Sequence, residues 1–116
     1  MTMKDLNCIY ILTKELQRNK GILAGLDRER GKPELVAKYK AIVEKQQNDI
    51  IKKKISLEQY INGIEDDEIR LIAKLRFIDL KSWTKIGDIL YYDRSVVYRK
   101  LQSYLDLHKK HSETGL

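Results

Sequence analysis

Apolar residues in the first half of the chain recur at intervals of three, four and seven. Ile9, Leu16 and Leu23 lie seven apart, Leu12 and Leu26 take the alternate positions, and Asn19 falls between those two. This spacing predicts a helix with a coiled-coil-like seam that carries one polar position. The segment DRERGKPE, from Asp27 to Glu34, breaks the pattern. Gly31 suits a helix stop, and Pro33 suits the first turn of the next helix. Gly21 and Gly25 soften the end of the first helix. The pattern then resumes through Val36, Tyr39, Val43, Gln46, Ile50 and Leu57, with Leu35, Ile42 and Ile51 widening the stripe. The second helix is expected to reach Tyr60, and Asn62-Gly63 reads as its C-terminal stop. Two long helices joined by a short loop predict an antiparallel hairpin over residues 1–62. A hairpin alone buries little surface, so it is expected to dock on the other half of the chain or on a second copy. Lys52-Lys53-Lys54 reads as a solvated face rather than a phosphate contact.

Residues 63–107 divide into three short helices. Asp66 or Asp67 can cap the first, whose apolar positions are Ile69, Ile72, Ala73 and Phe77. Ile78 to Ser82 forms a connection, and Ser82 is a natural N-cap for a second helix containing Trp83, Ile86, Gly87, Ile89 and Leu90. After a turn at Tyr91-Tyr92, Asp93 caps a third helix with Val97, Leu101, Tyr104 and Leu105 on its inner face. Two short helices across a tight turn, after a supporting helix, make a helix-turn-helix pattern. Its expected core is Trp83, Ile86, Gly87, Leu90, Val97 and Leu101, with Gly87 allowing close approach of the two helices. The first turns of the third helix then project Arg94, Ser95, Tyr98, Arg99 and Gln102. Arg reads guanine edges, Gln reads adenine, and Ser and Tyr reach phosphates or bases. The same spacing also suits an ordinary three-helix bundle with a polar outer face.

Composition agrees with helix. The 116 residues include one proline and six glycines, and no segment alternates apolar and polar positions as a strand would. The fold class expected is all-α: the hairpin, the three-helix domain, and a polar tail over residues 108–116. Net charge is +6, which suggests an anionic partner such as nucleic acid. The excess is uneven. Residues 1–62 hold 13 basic and 8 acidic side chains, residues 63–93 hold 5 and 7, and residues 94–116 hold 5 and 2. A single cysteine, Cys8, excludes an internal disulfide framework and a cysteine-based zinc site. It sits on an apolar helix face, where a buried structural thiol is expected. No apolar run is long enough for a membrane span, and MTMKDLNCIYIL lacks the pattern of a secretory signal, so a cytoplasmic location is expected.

The stretch IRLIAKLRFIDLKSWTKIGDILYYDRSVVYRKLQSYL resembles the promoter-reading region four of bacterial sigma factors. It is closer still to small phage proteins that carry this module, including ArpU/RinA-type late-operon activators. The matching elements are Arg76-Phe77, Trp83-Thr84-Lys85-Ile86 and the run from Asp93 to Arg99, within a similarity covering residues 65–105. The resemblance implies that Arg94, Ser95, Tyr98 and Arg99 contact promoter DNA. Three positions depart from the family pattern. Tyr91 stands where the turn usually holds glycine, Asp93 where the cap is usually Ser or Thr, and Lys100 where an inner position is usually apolar.

Catalytic chemistry is not expected. His108 and His111 lie three apart with Asp106 and Glu113 nearby, but in a polar tail with no other convergent ligand. The acidic run Glu65-Asp66-Asp67-Glu68 is explained by the helix start that follows it. No phosphate loop, nucleophile elbow or metalloprotease motif occurs. The expectation is a non-enzymatic regulator encoded by a phage or prophage, without metal or cofactor, acting in the bacterial host cell. Its partners would be double-stranded DNA, host RNA polymerase and a second copy of itself, a dimer being favoured. Two rivals share these features: a DNA-packaging protein like terminase small subunits, and an adaptor docking on RNA polymerase without DNA.

Overall fold

Most helices of this chain begin where a short polar side chain precedes an apolar period, and α2 begins instead at Pro33. A computed structural model describes residues 1–114, with side chains through residue 108. Among these residues it contains helices and no strand. Helix α1 spans Met3–Arg28 and α2 spans Pro33–Asn62. Three shorter elements follow: α3 (Asp67–Ala73), a π-helical turn (Lys74–Ile78) and α4 (Trp83–Leu90). Helix α5 runs from Arg94 to Thr114. No described helix is long and apolar enough to cross a membrane.

The caps are made by the side chains expected to make them. Asp66 Oδ1 accepts from the Ile69 N–H at 3.0 Å, and Ser82 Oγ from the Lys85 N–H at 3.1 Å. Asp93 Oδ1 accepts from both the N–H and the hydroxyl of Ser95, each at 3.0 Å. At the start of α1, Thr2 and Asp5 form a reciprocal capping pair, at 2.9 and 3.2 Å.

Three helix ends depart from the glycine rule. The residues with left-handed backbone are Arg30 (φ 50°), Leu80 (φ 59°) and Tyr91 (φ 60°), and no described glycine has positive φ. Gly31 therefore does not supply the left-handed turn after α1. It follows it, and its N–H donates to the Leu26 carbonyl at 2.8 Å. A Cβ on Gly31 would lie 3.1 Å from Leu26 Cδ2, so the missing side chain serves close approach. Helix α1 also continues through Gly21 and Gly25 to Arg28 without a break.

The chain forms two compact units. One is Ile9–Ile55, the two-helix hairpin; the other joins Met1–Cys8 to the chain from Ser56 onward. In the hairpin, Leu16, Val43 and Ile50 form a buried cluster flanked by Leu12 and Leu23. Asn19 Nδ2 donates to Gln46 Oε1 at 3.0 Å, so the two polar seam positions pair with each other. Leu35 and Ile51, expected to widen the stripe, are exposed, while Ile42 is half-buried. Two helices cover each other only along a narrow seam, and no third element of this unit covers the flanks. In the other unit, the last turns of α2 and the first of α1 join the three short helices. Leu57, Ile61, Leu6 and Met3 are buried in it together with Ile64. Cys8 is not the buried thiol expected from its neighbours, because its side chain reaches solvent. Helix α5 continues beyond residue 107 because neither glycine nor proline interrupts residues 94–114.

Candidate functional site

The candidate site is built on α4, the turn Tyr91–Asp93 and the first turns of α5. Helix α4 packs most extensively on α5, and α3 with the π turn packs behind them. Ile86, Val97 and Leu101 have no exposed surface, and Gly87 is buried. A Cβ on Gly87 would lie 2.5 Å from the Tyr92 carbonyl oxygen and 3.3 Å from the Arg94 nitrogen. Glycine at 87 is therefore required by the distance between α4 and the turn, as its position in the sequence suggested. The Tyr92 N–H closes the turn on the Gly87 carbonyl at 2.9 Å. Two residues expected in this core lie only partly within it, since Trp83 and Leu90 are half-buried.

Trp83 instead forms a wall of an open cleft of about 520 Å³. Arg94, Ser95, Tyr98 and Arg99 line this cleft from α5, and Arg76 lines it from the π turn. No described carboxylate lines it, though Asp93 lies just behind, bonded to Ser95. The structure thus brings four of the five candidate DNA-contacting residues to one surface. Gln102 is not among the lining side chains. Its Oε1 lies 3.4 Å from the Tyr98 hydroxyl, and its Nε2 donates to Asp106 Oδ1 at 2.9 Å. The amide expected to read adenine is thus engaged along α5. The Ser95 hydroxyl proton is likewise committed to the Asp93 cap. Arg99 Nε donates to the Ser95 carbonyl at 3.3 Å, which leaves its terminal amino groups for a ligand.

Arg76 was not among the residues singled out as DNA-contacting. The π turn explains how it reaches the cleft. The Asp79 N–H donates to the Lys74 carbonyl five residues back, and the Lys81 N–H to the Leu75 carbonyl six back, both at 2.9 Å. The guanidinium of Arg76 lies 4.7 Å from the centre of the Trp83 ring, and its Nη1 donates to the Lys81 carbonyl at 3.1 Å. Trp83 also meets Tyr98 edge-on at 5.2 Å and Phe77 at 6.3 Å. The sequence signals for this arrangement were an arginine set between two apolar residues and the Arg76-Phe77 match to the sigma-like pattern.

Three charged groups, Asp93, Lys100 and Glu68, secure the frame of the site. Hydrogen bonds from the Ser95 backbone and then its hydroxyl hold the Asp93 carboxyl below the usual carboxylate range. Lys100, expected at an inner position, is instead partly exposed and forms an ion pair, 2.8 Å from Glu68 Oε1, with its ammonium 4.9 Å from the Tyr92 ring centre. The Tyr92 hydroxyl donates to the other Glu68 oxygen at 3.0 Å. Hydrogen bonds from Lys100 and then Tyr92 lower the Glu68 pKa, and the bond to Glu68 raises that of Lys100. This linkage ties α3 to the turn and to α5, which is how a lysine is accommodated there.

Of the residues weighed as metal ligands, His108 stacks on Tyr104 with ring centroids 4.0 Å apart. The side chains of His111 and Glu113 lie outside the described residues. No curated protein and no solved structure matches the chain. A family model does match residues 31–107, covering the second hairpin helix and the whole candidate site. The chain belongs to the family of that model, described as a protein of unknown function, DUF1492.

Proposed function

We propose that this protein is a DNA-binding transcriptional regulator, encoded by a phage or prophage and acting on late-operon transcription. In this reading α4, the turn and α5 form a helix-turn-helix that enters the major groove. Arg94 and Arg99 read base edges, and Tyr98 and Ser95 lie against the backbone. The observation that carries it is the cleft surface itself: three arginines with hydroxyl and aromatic groups, no described carboxylate among the lining side chains, and Asp93 behind Ser95. The resemblance of residues 65–105 to sigma region four supplies the groove-reading geometry. The hairpin pairs protomers or contacts RNA polymerase, and its Asn19–Gln46 pair sets its register.

Fluorescence anisotropy with a labelled random duplex tests the first step. The expected result is non-specific binding with a Kd of roughly 10⁻⁴ to 10⁻⁶ M at physiological salt, weakening steeply as salt rises. Absence of binding at low salt and high protein concentration would overturn the proposal.

A further inference from the structure

Three guanidinium groups line the cleft, and only two of them belong to α5. The third, Arg76, is held before any ligand arrives. Its place over the Trp83 ring and its bond to the Lys81 carbonyl hold the group. It is half-buried, and arginine keeps its charge at every accessible pH. A charged group fixed in this way loses little rotamer entropy when it meets an anion. Ser82 and Thr84 at the start of α4 add hydroxyl groups to the same cleft, whereas the Ser95 proton stays with Asp93. The start of α4, capped by the neutral Ser82, adds the positive end of its dipole, while the Asp93 carboxylate offsets that of α5.

We propose that this cleft binds one phosphodiester group of the DNA backbone, with Arg76 as its fixed anchor. The register of α5 on the duplex is then set from outside α5. The proposal rests on the DNA-binding reading and adds to it a residue and a division of labour. Phosphate contacts position a protein on DNA, and base contacts carry sequence. Arg76 therefore governs affinity and salt dependence for every duplex alike, whereas Arg94 and Arg99 govern the preference among sequences.

The test uses the whole chain and the variant Arg76→Gln, whose amide retains a donor for the Lys81 carbonyl but loses the charge. A random duplex is titrated while anisotropy and tryptophan emission are recorded together. Trp83 is the only tryptophan in the chain, so its emission reports on the cleft directly. The expected result for Arg76→Gln is several-fold weaker binding to all duplexes and a salt slope shallower by about 0.9, one released counterion. Wild-type emission should shift in step with anisotropy. Arg76→Lys should keep the slope and lose part of the affinity, because a point charge does not stack as the planar group does. A duplex that binds without moving Trp83 emission, or an unchanged slope in Arg76→Gln, overturns the anchor and leaves the DNA-binding reading standing. Absence of any duplex binding overturns both.

Discussion

Glycine-to-alanine substitution should have opposite signs at different positions of this chain. At Gly87 the new Cβ would lie 2.5 Å from the Tyr92 carbonyl oxygen, a backbone atom that no rotamer change can move aside. Restoring ordinary contact requires the turn and α4 to separate by roughly 1 Å, an overpacking that costs about 1–3 kcal/mol. The separation also strains the 2.9 Å bond from the Tyr92 N–H to the Gly87 carbonyl; losing it adds about 1 kcal/mol. Alanine returns about 1 kcal/mol through helix propensity. Gly87→Ala should therefore destabilise by about 1–3 kcal/mol. At Gly21 and Gly25 a Cβ meets nothing within 4 Å, so only the propensity term remains. Each alanine there should stabilise the hairpin by about 0.5–1 kcal/mol. Urea denaturation followed by circular dichroism for the hairpin and by Trp83 emission for the other unit measures both. A neutral or stabilising Gly87→Ala would refute the close approach. A destabilising Gly25→Ala would refute the open surface assigned to α1.

Tyr91→Gly should raise stability by about 1 kcal/mol, read as a higher urea midpoint, because it relieves a non-glycine residue at φ 60° with 95% of its surface exposed. Replacing both Asn19 and Gln46 by leucine should stabilise the hairpin and loosen its register, read as a higher melting temperature with a mixture of species in light scattering. Glu68→Gln should cause a small, salt-screened loss of stability at neutral pH. Glu68 has a lowered pKa in the fold, so its contribution is complete above the ordinary carboxylate value. It disappears as pH falls through the depressed value, and variant and wild type should then converge. Asp93→Asn should behave similarly in pH while retaining the cap, whereas Asp93→Ala should lose the cap at every pH.

The sequence carried the helices and their starts because both are local. Asp66, Ser82 and Asp93 act on N–H groups two or three residues ahead, and a periodic stripe is visible in any short window. Gly87 was legible for the same reason, since a glycine just before a tight turn has few other uses. The helix ends were less so. Arg30, Leu80 and Tyr91 adopt left-handed backbone that composition assigns to glycine, and only the closing hydrogen bonds reveal it. The site was half legible. Arg94, Tyr98 and Arg99 follow from helical spacing, but Arg76 reaches the same surface from a π turn that periodicity does not announce. Gln102 and Ser95 looked available because a sequence does not show that Asp106 and Asp93 already engage them.

The central claim is that α5 reads DNA sequence, and selection of bound duplexes from a random pool tests it most directly. Specific helix-turn-helix binding predicts an enriched motif that the wild type holds at least about 10³-fold more tightly than random duplex at fixed moderate salt. Arg94→Ala combined with Arg99→Ala should collapse that ratio, with each lost base contact relaxing discrimination by about 1–3 kcal/mol. Equal, weak binding of selected and random duplexes by wild type and double variant alike would contradict the account.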